Sequence, residues 1–383
     1  MEFEFTEKQN KFKALVRSFA ENEIRPRADA IDKEDRFPWE IIKKAGEIGL
    51  LGMTASEEYG GIGVDTISFA IAIEEISRVS GSLGLTVEAH NSLAVGHIYN
   101  RGTEEQKRKY VIPLAKGEKI GAWALTEPTA GSDAGGMQTT AVPDKDGWVL
   151  NGTKLFITSG DVADPVVVMA VTDKTKKAKG ISAFIVEKNT PGLSFGKEEN
   201  KLGLRGSRTV EVILDSCRVP KENMLDAEGM GFIGAMETLC RGRVAIAAMA
   251  VGIAQGAFEE ALKYSVKREQ FGKAICNFQA VQWMLADMAI KIDAARLLVH
   301  RAAYLEDTGK KFAKEASMAK LFASETAMEV TQNAMQILGG YGYTDEYPVE
   351  RFFRDIKLCE IGEGTSEVQR LIISREILKE VGK

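Results

Sequence analysis

The spacing of apolar residues changes twice along the 383-residue chain, and this change constrains the fold more than any other feature. Residues 1–120 and 226–383 carry apolar positions at helical spacing, with capping and stop signals between the runs. Residues 121–225 instead carry short apolar runs separated by turn residues, a pattern typical of strands. We therefore predict an α+β chain whose three domains have these bounds.

The middle domain is predicted to pair its strands in antiparallel fashion. No helical run of a dozen residues separates the strands, whereas a parallel βαβ sheet needs such crossovers. The segment 144–147 also has the composition of a hairpin turn. We expect a small antiparallel β-barrel or sandwich here.

The two helical domains differ in the length of their helices. In the N-terminal domain, Thr6 and Gln9 form a possible capping box, and Pro38 lies in the first turn of another helix. In the C-terminal domain, long helices are predicted over 243–267, 280–305, 314–338 and 366–378. Helices of this length favour a four-helix bundle, and their wide apolar faces favour an oligomer.

The composition argues against several classes of protein. Hydrophobic residues make up 44% of the chain and charged residues 27%, which is typical of soluble globular proteins and not of membrane-inserted chains. Fifty basic and fifty-five acidic residues give a net charge of -5, too evenly mixed for a nucleic-acid-binding face. Four widely spaced cysteines, and a charged N-terminus without an apolar signal segment, indicate a cytoplasmic protein.

The common catalytic motifs do not occur in the sequence. The glycine-rich runs at 60–63 and 339–342 do not lie between a strand and a helix, as a Rossmann site requires. There is no Walker loop and no G-x-S-x-G elbow. His90, His97 and His300 are too scattered for a zinc site or a triad, and packed or surface histidines explain them better. Hydrolase and metal-dependent functions are therefore not predicted.

Three polar, glycine-rich segments remain at the block boundaries. Segment 124–133 ends a strand in a loop of backbone N–H groups and hydroxyls that can cradle a phosphate or a flavin edge. Segment 336–343 places glycines at a helix C-terminus. Segment 361–369 sets Glu363 between two glycines before a predicted helix, where it can point into a cavity. Taken singly, each is also explained as a turn, a helix stop or a surface loop.

Together, the three segments resemble the acyl-CoA dehydrogenase family over essentially the whole chain. The order of helical, β and helical blocks is that family's, and its two sequence signatures occur at 124–136 and 336–355. The segments 268–272 and 347–351 are also similar to family segments. The resemblance implies FAD-dependent α,β-desaturation of an acyl-CoA thioester, as in β-oxidation of fatty acids. It also implies a homotetramer that passes electrons to an electron-transferring flavoprotein.

The resemblance assigns roles to particular residues of this chain. Glu363 is implied to be the base that takes the α-proton, with its own backbone N–H as a donor to the thioester oxygen. Substrate contacts are implied for Ser132, Arg243 and Gly364. FAD contacts, some of them from a neighbouring subunit, are implied for Leu125, Thr126, Ser132, Phe156, Ile157, Thr158, Arg268, Phe271, Gln279, Gln336, Gly339, Gly340, Thr365 and Glu367.

Several positions depart from the family pattern. Phe156 stands where many relatives have Trp, and Cys240 replaces the usual Asp near the CoA end. Gly362 replaces a Tyr, which removes a ring from the wall of the acyl pocket. Gly242 matches the place where some relatives carry their base, and it has no side chain, so Glu363 is the sole candidate base.

Glu88 has two interpretations. It lies in a segment that in relatives approaches the distal acyl cavity, where an unpaired acid is costly. Either it faces solvent or pairs with a basic residue, or it acts as a second acid or base toward a polar or alicyclic acyl end. The predicted function is thus a short- or medium-chain acyl-CoA dehydrogenase. The alternatives are a dehydrogenase for branched, alicyclic or polar-ended acyl groups, and a redox-inactive scaffold.

Overall fold

The computed structural model describes residues 4–382, in which residues 7–115 form helices joined by short loops. The predicted capping box is present, because Thr6 Oγ1 accepts a hydrogen bond from the Gln9 N–H at 3.2 Å and Gln9 Oε1 accepts one from the Thr6 N–H at 3.0 Å. The helices are α1 (Glu7–Phe19), α2 (Ala28–Glu34), α3 (Trp39–Glu47), α4 (Thr66–Ser77), α5 (Gly81–Glu88), α6 (Gly96–Arg101), α7 (Glu104–Gln106) and α8 (Ile112–Ala115).

A π-helical segment, Ala89–Val95, joins α5 to α6 without a break in the helix. Such insertions are rare and are frequently found at functional sites. Glu88 is the last residue of α5 and therefore lies where the helix changes its winding.

The middle of the chain folds into a mixed sheet. Its strands are β1 (Ala122–Ala124), β2 (Thr140–Asp144), β3 (Gly147–Thr158), β4 (Val166–Val171), β5 (Ile181–Val186), β6 (Leu193–Glu198), β7 (Thr209–Pro220) and β8 (Met224–Leu225). The order across the sheet is β6-β7-β3-β2-β4-β5-β8, with β1 paired to β4.

The prediction of purely antiparallel pairing is wrong for two strand pairs. Strand β4 runs parallel to both β1 and β2, while the other pairs in this sheet are antiparallel. The prediction rested on missing crossover helices, which restrict only parallel strands that follow each other along the chain. Here the β2–β3 hairpin lies in sequence between β1 and β4, so no such helix is needed.

The C-terminal part contains the long helices that the sequence predicted and one more. They are α9 (Gly231–Lys267), α10 (Gln279–Asp307), α11 (Ala313–Leu338), α12 (Val349–Ile361) and α13 (Ser366–Glu380), with a small hairpin of β9 (Glu269–Gln270) and β10 (Lys273–Ala274) after α9. Helix α12 was not predicted, and α9 begins twelve residues before the predicted start at 243.

Helix α9 is the centre of the core that the two helical parts share. It is long and apolar enough to cross a membrane. However, 78% of its most apolar 18-residue stretch is buried inside the protein, as in the core helix of a soluble protein. Helix α4 of the N-terminal part packs on α9 and α10, and the Arg78 and Glu259 side chains hydrogen-bond between these parts at 2.7 Å. This packing brings the end of α5, the middle of α9 and the loop after α12 together.

Candidate active site

Glu363 lies in the short loop between α12 and α13, in a backbone conformation that few non-glycine residues adopt. Its φ is +53°, and that of Gly364 is +96°. The Gly364 carbonyl accepts hydrogen bonds from Lys320 Nζ at 2.7 Å and Gln369 Nε2 at 2.8 Å, and Gln369 Nε2 also donates to the Glu363 carbonyl at 3.3 Å. Such strain persists only where the surroundings fix it, and it is concentrated at functional sites.

The Glu363 side chain turns inward against α9. Both of its carboxyl oxygens are buried, although the residue as a whole is half-buried. A Cβ atom added at Gly242 would lie 2.1 Å from Glu363 Oε2 and 2.9 Å from Oε1, so the carboxyl occupies the space that a side chain there would need. Burial raises the pKa of Glu363 above its usual range, and the cations of Arg243 and Lys320 oppose this rise.

Glu88 is the second carboxyl group of this site. It is 0% exposed, and the Ser92 hydroxyl donates a hydrogen bond to its Oε1. Burial, followed by the neighbouring Glu363, raises the pKa of Glu88 well above its usual range. Among residues 4–382 it forms no salt bridge, so the interpretation that it faces solvent or pairs with a basic residue is wrong.

Arg243 and Gly364, two of the residues implied to contact substrate, lie at this same place. Arg243 is buried on α9, and no acceptor within the described chain reaches its Nε. Gly364 directly follows Glu363 in the loop. Ser132, in contrast, is exposed in the loop after β1.

The loop after β1 is anchored by a buried ion pair that sequence reasoning missed. Lys154 Nζ lies 2.7 Å from Glu127 Oε1, and both side chains are buried. Lys154 Nζ also donates to the Leu125 carbonyl at 3.1 Å, and the Leu155 N–H donates to the Thr126 carbonyl at 2.8 Å. The pair therefore fixes the backbone at Leu125 and Thr126. Its sequence signal is a lysine directly before the apolar residues 155–157 and, 27 residues earlier, a glutamate in the polar segment 124–133.

Phe156, Ile157 and Thr158 end strand β3. The register with β7 shifts between Lys154 and Ile157, and Phe156 has a φ of +59°. Bulges of this kind re-aim side chains. Phe156 is 59% exposed, Thr158 is half-buried and Ile157 is buried. The bulge thus presents an aromatic ring on the surface.

A separate cleft of about 460 Å³ lies between α9 and the end of α11. It is lined by Tyr264, Arg268, Gln270, Ile275, Ile337, Leu338, Gly339, Gly340, Tyr341 and Thr344. A Cβ atom added at Gly339 or Gly340 would meet no heavy atom within 4 Å, so the backbone is open there. None of the residues around Glu363 lines this cleft.

The remaining residues implied to contact FAD lie on the surface around the helix ends. Phe271 is 94% exposed and follows β9, and Gln279 is the exposed first residue of α10. Gln336 is exposed near the end of α11. Thr365 caps α13, since its Oγ1 accepts a hydrogen bond from the Val368 N–H at 3.3 Å. Glu367 is exposed in the first turn of α13, where a negative charge is favourable.

Three family models together match most of the chain. Residues 6–118 match the N-terminal domain of acyl-CoA dehydrogenase, residues 122–217 the middle domain and residues 229–378 the C-terminal domain. The chain belongs to the acyl-CoA dehydrogenase family. Its members are FAD-dependent oxidoreductases, and this is the enzyme class of the chain.

Several known proteins are similar to this dehydrogenase over almost its full length. The short-chain specific acyl-CoA dehydrogenase of Clostridium acetobutylicum is 53% identical over 379 residues, covering 99% of this chain and 100% of that protein. The solved butyryl-CoA dehydrogenase of Megasphaera elsdenii is 44% identical with a TM-score of 0.97, and the match covers 99% of this chain and 100% of that one. A chain in the structure "Electron transferring flavoprotein of Acidaminococcus fermentans: Towards a mechanism of flavin-based electron bifurcation" is 51% identical with a TM-score of 0.98, with coverage of 99% and 100%.

The residues of this acyl-CoA dehydrogenase fit FAD. The cleft combines the Arg268 side chain with the open backbone of Gly339 and Gly340, a combination suited to phosphate groups. Phe156 offers an uncovered aromatic face, and the Lys154 ion pair fixes the loop beside it. An exposed aromatic ring on a bulged strand is costly to leave in water and is suited to packing on another flat ring.

His90 and His97 are packed inside the dehydrogenase, as one of the sequence interpretations holds. His90 Nδ1 accepts a hydrogen bond from the Gly121 N–H at 3.0 Å, and its Nε2 lies 3.0 Å from the Leu51 carbonyl oxygen. His97 Nδ1 accepts one from Trp123 Nε1 at 2.9 Å. Burial lowers the pKa of both imidazoles to about 4, so they are neutral structural groups at neutral pH.

Proposed function

We propose that this acyl-CoA dehydrogenase desaturates the α,β bond of a short-chain acyl-CoA thioester, with Glu363 as the catalytic base. The observation that carries the proposal is the Glu363 carboxyl, which is buried on a strained and firmly held loop with no N–H donor and no ion pair among residues 4–382. Burial raises its pKa toward the pH at which the enzyme works, and general-base catalysis prefers such a match.

The loop also supplies a group that stabilises the developing negative charge. The Glu363 backbone N–H donates to no group among residues 4–382, so it is free to donate to the thioester oxygen. An α-proton is too weakly acidic for a carboxylate unless such a donor meets the enolate oxygen, and one donor is worth about 3 kcal/mol in a dry site. Base and donor thus belong to one residue, and Lys320 and Gln369 set their orientation through Gly364.

The cofactor is held at two places on the chain in this proposal. Leu125, Thr126 and Ser132 contact the flavin or its pyrophosphate, and Phe156, Ile157 and Thr158 follow the flavin ring. The phosphates and adenosine are bound by Arg268, Phe271, Gln279, Gln336, Gly339 and Gly340. Thr365 and Glu367 belong to the cofactor-binding stretch that follows the base. When bound, FAD supplies the acceptor for the hydride that leaves the β-carbon. Because Arg268, Gly339 and Gly340 line a cleft apart from Glu363, part of each cofactor site comes from a neighbouring subunit of a homotetramer.

The substrate class and the electron acceptor are inferred from relatives. The Clostridium acetobutylicum relative is named for short chains, and the Megasphaera elsdenii relative acts on butyryl-CoA. The Acidaminococcus fermentans structure supports an electron-transferring flavoprotein as the partner that receives the electrons. The proposal keeps the cytoplasm, which the sequence predicts, as the location of the reaction. A branched, alicyclic or polar-ended acyl group is the second candidate, because Glu88 and Gly362 change the acyl side of the pocket.

The test is anaerobic bleaching of the purified flavoprotein by a panel of straight, branched and cyclic acyl-CoA esters. Glu363→Gln should keep the yellow cofactor, and its rate of flavin bleaching should fall by at least about 10³-fold. The substitution removes the base and keeps the shape of the side chain. Glu376→Gln, on α13 and paired with Lys379, is the matched control and should bleach as the wild type does. Rapid bleaching of Glu363→Gln would overturn the proposed base, and a purified protein that binds no flavin would favour a redox-inactive scaffold.

A further inference from the structure

Three buried carboxyl oxygens at this site have no hydrogen-bond donor. They are Glu88 Oε2 and both side-chain oxygens of Glu363, and no N–H or O–H group of residues 4–382 reaches them. The carboxyl groups of Glu88 and Glu363 are instead hydrogen-bonding neighbours of each other. A buried carboxylate without a donor is costly, and two carboxyl groups attract each other only when a proton lies between them.

The charged groups around the pair do not replace that proton. Arg243 faces it from α9, Lys320 from α11 and Cys359 from α12, and Cys240 lies beside Arg243. Lys320 Nζ is engaged by the Gly364 carbonyl, and neither cation forms an ion pair with Glu88 or Glu363 in the described chain.

The two thiols add no charge to this site. Burial raises the pKa of Cys359 to about 12 and that of Cys240 to about 11. Both thiols are therefore neutral. Without a shared proton, two ionised carboxylates would lie side by side in a region of low dielectric constant, which is unfavourable.

We propose that Glu88 and Glu363 share one proton, which Glu88 carries and donates to Glu363 in a hydrogen bond. The inference rests on the proposed function, because it takes Glu363 to be the base. One proton satisfies Glu88 Oε2 and one oxygen of Glu363, and it leaves a single negative charge opposite Arg243 and Lys320. Ser92 holds the other oxygen of Glu88 and thereby orients the donor.

Glu88 is thus a positioning residue that keeps the base ionised before substrate enters. A hydrogen bond to the charged form of a carboxyl group favours that form, so Glu88 lowers the pKa of Glu363 against the effect of burial. The rate falls as the pH drops through the pKa of the base. Loss of this donor must therefore move the acid side of the rate profile to higher pH.

The experiment compares Glu88→Leu and Glu88→Gln with the wild-type holoenzyme. The rate of flavin bleaching by one acyl-CoA ester is measured under anaerobic conditions from pH about 5 to 9, at saturating and at low substrate. Glu88→Leu has no donor and should shift the apparent pKa of the base upward by about one pH unit or more. Glu88→Gln keeps an N–H donor and should leave the acid side close to that of the wild type.

A matched control separates this effect from damage to the fold. Glu75 is another buried glutamate on a neighbouring helix, where Arg17 Nε donates to it at 2.8 Å. Glu75→Gln should lower stability and leave the pH profile in place. A Glu88→Leu profile that superimposes on the wild type, or a change in substrate KM alone, would overturn the shared proton.

A second measurement does not depend on the Leu variant folding. The infrared difference spectrum of wild type minus Glu88→Gln at neutral pH should show the band of a protonated carboxylic acid. A carboxylate band in its place would overturn the inference. Activity of Glu363→Gln would instead show that Glu363 is not the base. The Glu363 variant therefore tests the proposed function, and the Glu88 variants test the shared proton.

Discussion

Two buried glutamates of this protein differ in how their charge is satisfied. Glu127 accepts hydrogen bonds from Lys154 Nζ at 2.7 Å and from the Thr139 N–H at 3.0 Å, and also from the Gln138 N–H. Within residues 4–382 no N–H group and no cation reaches either carboxyl oxygen of Glu363, which has only the proposed proton of Glu88. The pKa of Glu127 is lowered, because Lys154 and the other donors outweigh its burial, whereas burial dominates at Glu363 and raises its pKa.

This difference separates a structural acid from a reactive one. Burial removes both carboxyl groups from water, which is unfavourable for their charged forms. Hydrogen bonds and the Lys154 cation offset this cost at Glu127, and no such contacts offset it at Glu363. The uncompensated group is free to take up a proton, and a substrate that brings a proton completes its environment. The comparison teaches that the absence of a cation and of N–H donors, more than burial, identifies the base in this chain.

The largest expected effect is on the satisfied pair. Lys154→Met keeps much of the side-chain volume but leaves Glu127 buried without its cation, which should cost about 3–5 kcal/mol of unfolding free energy. The control is Lys119→Met, which removes the exposed Lys119–Asp164 pair and should cost under about 1 kcal/mol. Denaturant unfolding of the two variants measures the difference. Equal costs would show that the buried pair does not anchor the loop after β1.

The next effect is on the unsatisfied base. Gly242→Ala places a methyl group 2.1 Å from Glu363 Oε2 and must push the carboxyl away by about 1 Å. A displacement of this size should slow bleaching about 100-fold, which corresponds to about 2.7 kcal/mol. Alanine favours a helix over glycine by about 1 kcal/mol, so the variant should unfold no earlier than the wild type. A normal bleaching rate would contradict the placement of the base against α9.

The parts of the fold that a local residue pattern determines could be predicted from the sequence. The long apolar runs of α9, α10 and α11 and the capping box at Thr6 were sufficient. The parallel pairing of β4 was not predictable, because strand partners distant in sequence leave no local signal. Helix α12 was not predicted although Val349, Phe352 and Ile356 have helical spacing, because the helix is short and charged residues interrupt its apolar pattern.

The candidate site shows the same limit. Glu363 could be singled out because two glycines and a family signature surround it. The partners that decide its chemistry, Glu88 on α5 and Lys320 on α11, are far away in the sequence and meet it only in three dimensions. The domain boundaries at 120 and 225 and the individual cofactor contacts stay predictions.

The smallest expected effect concerns Thr365, which extends the comparison to a neutral group. Its hydroxyl is already engaged by the Val368 N–H at the start of α13, so like Glu127 it is satisfied within the fold. Thr365→Ala should therefore lower the unfolding free energy by about 1 kcal/mol, as loss of a helix cap does. Thr365→Ser keeps the hydroxyl, and with it both the cap and the proposed cofactor contact, so it should match the wild type in stability and in flavin retention on gel filtration. Loss of flavin from Thr365→Ala at unchanged stability would show instead that the hydroxyl serves the cofactor and that capping is secondary.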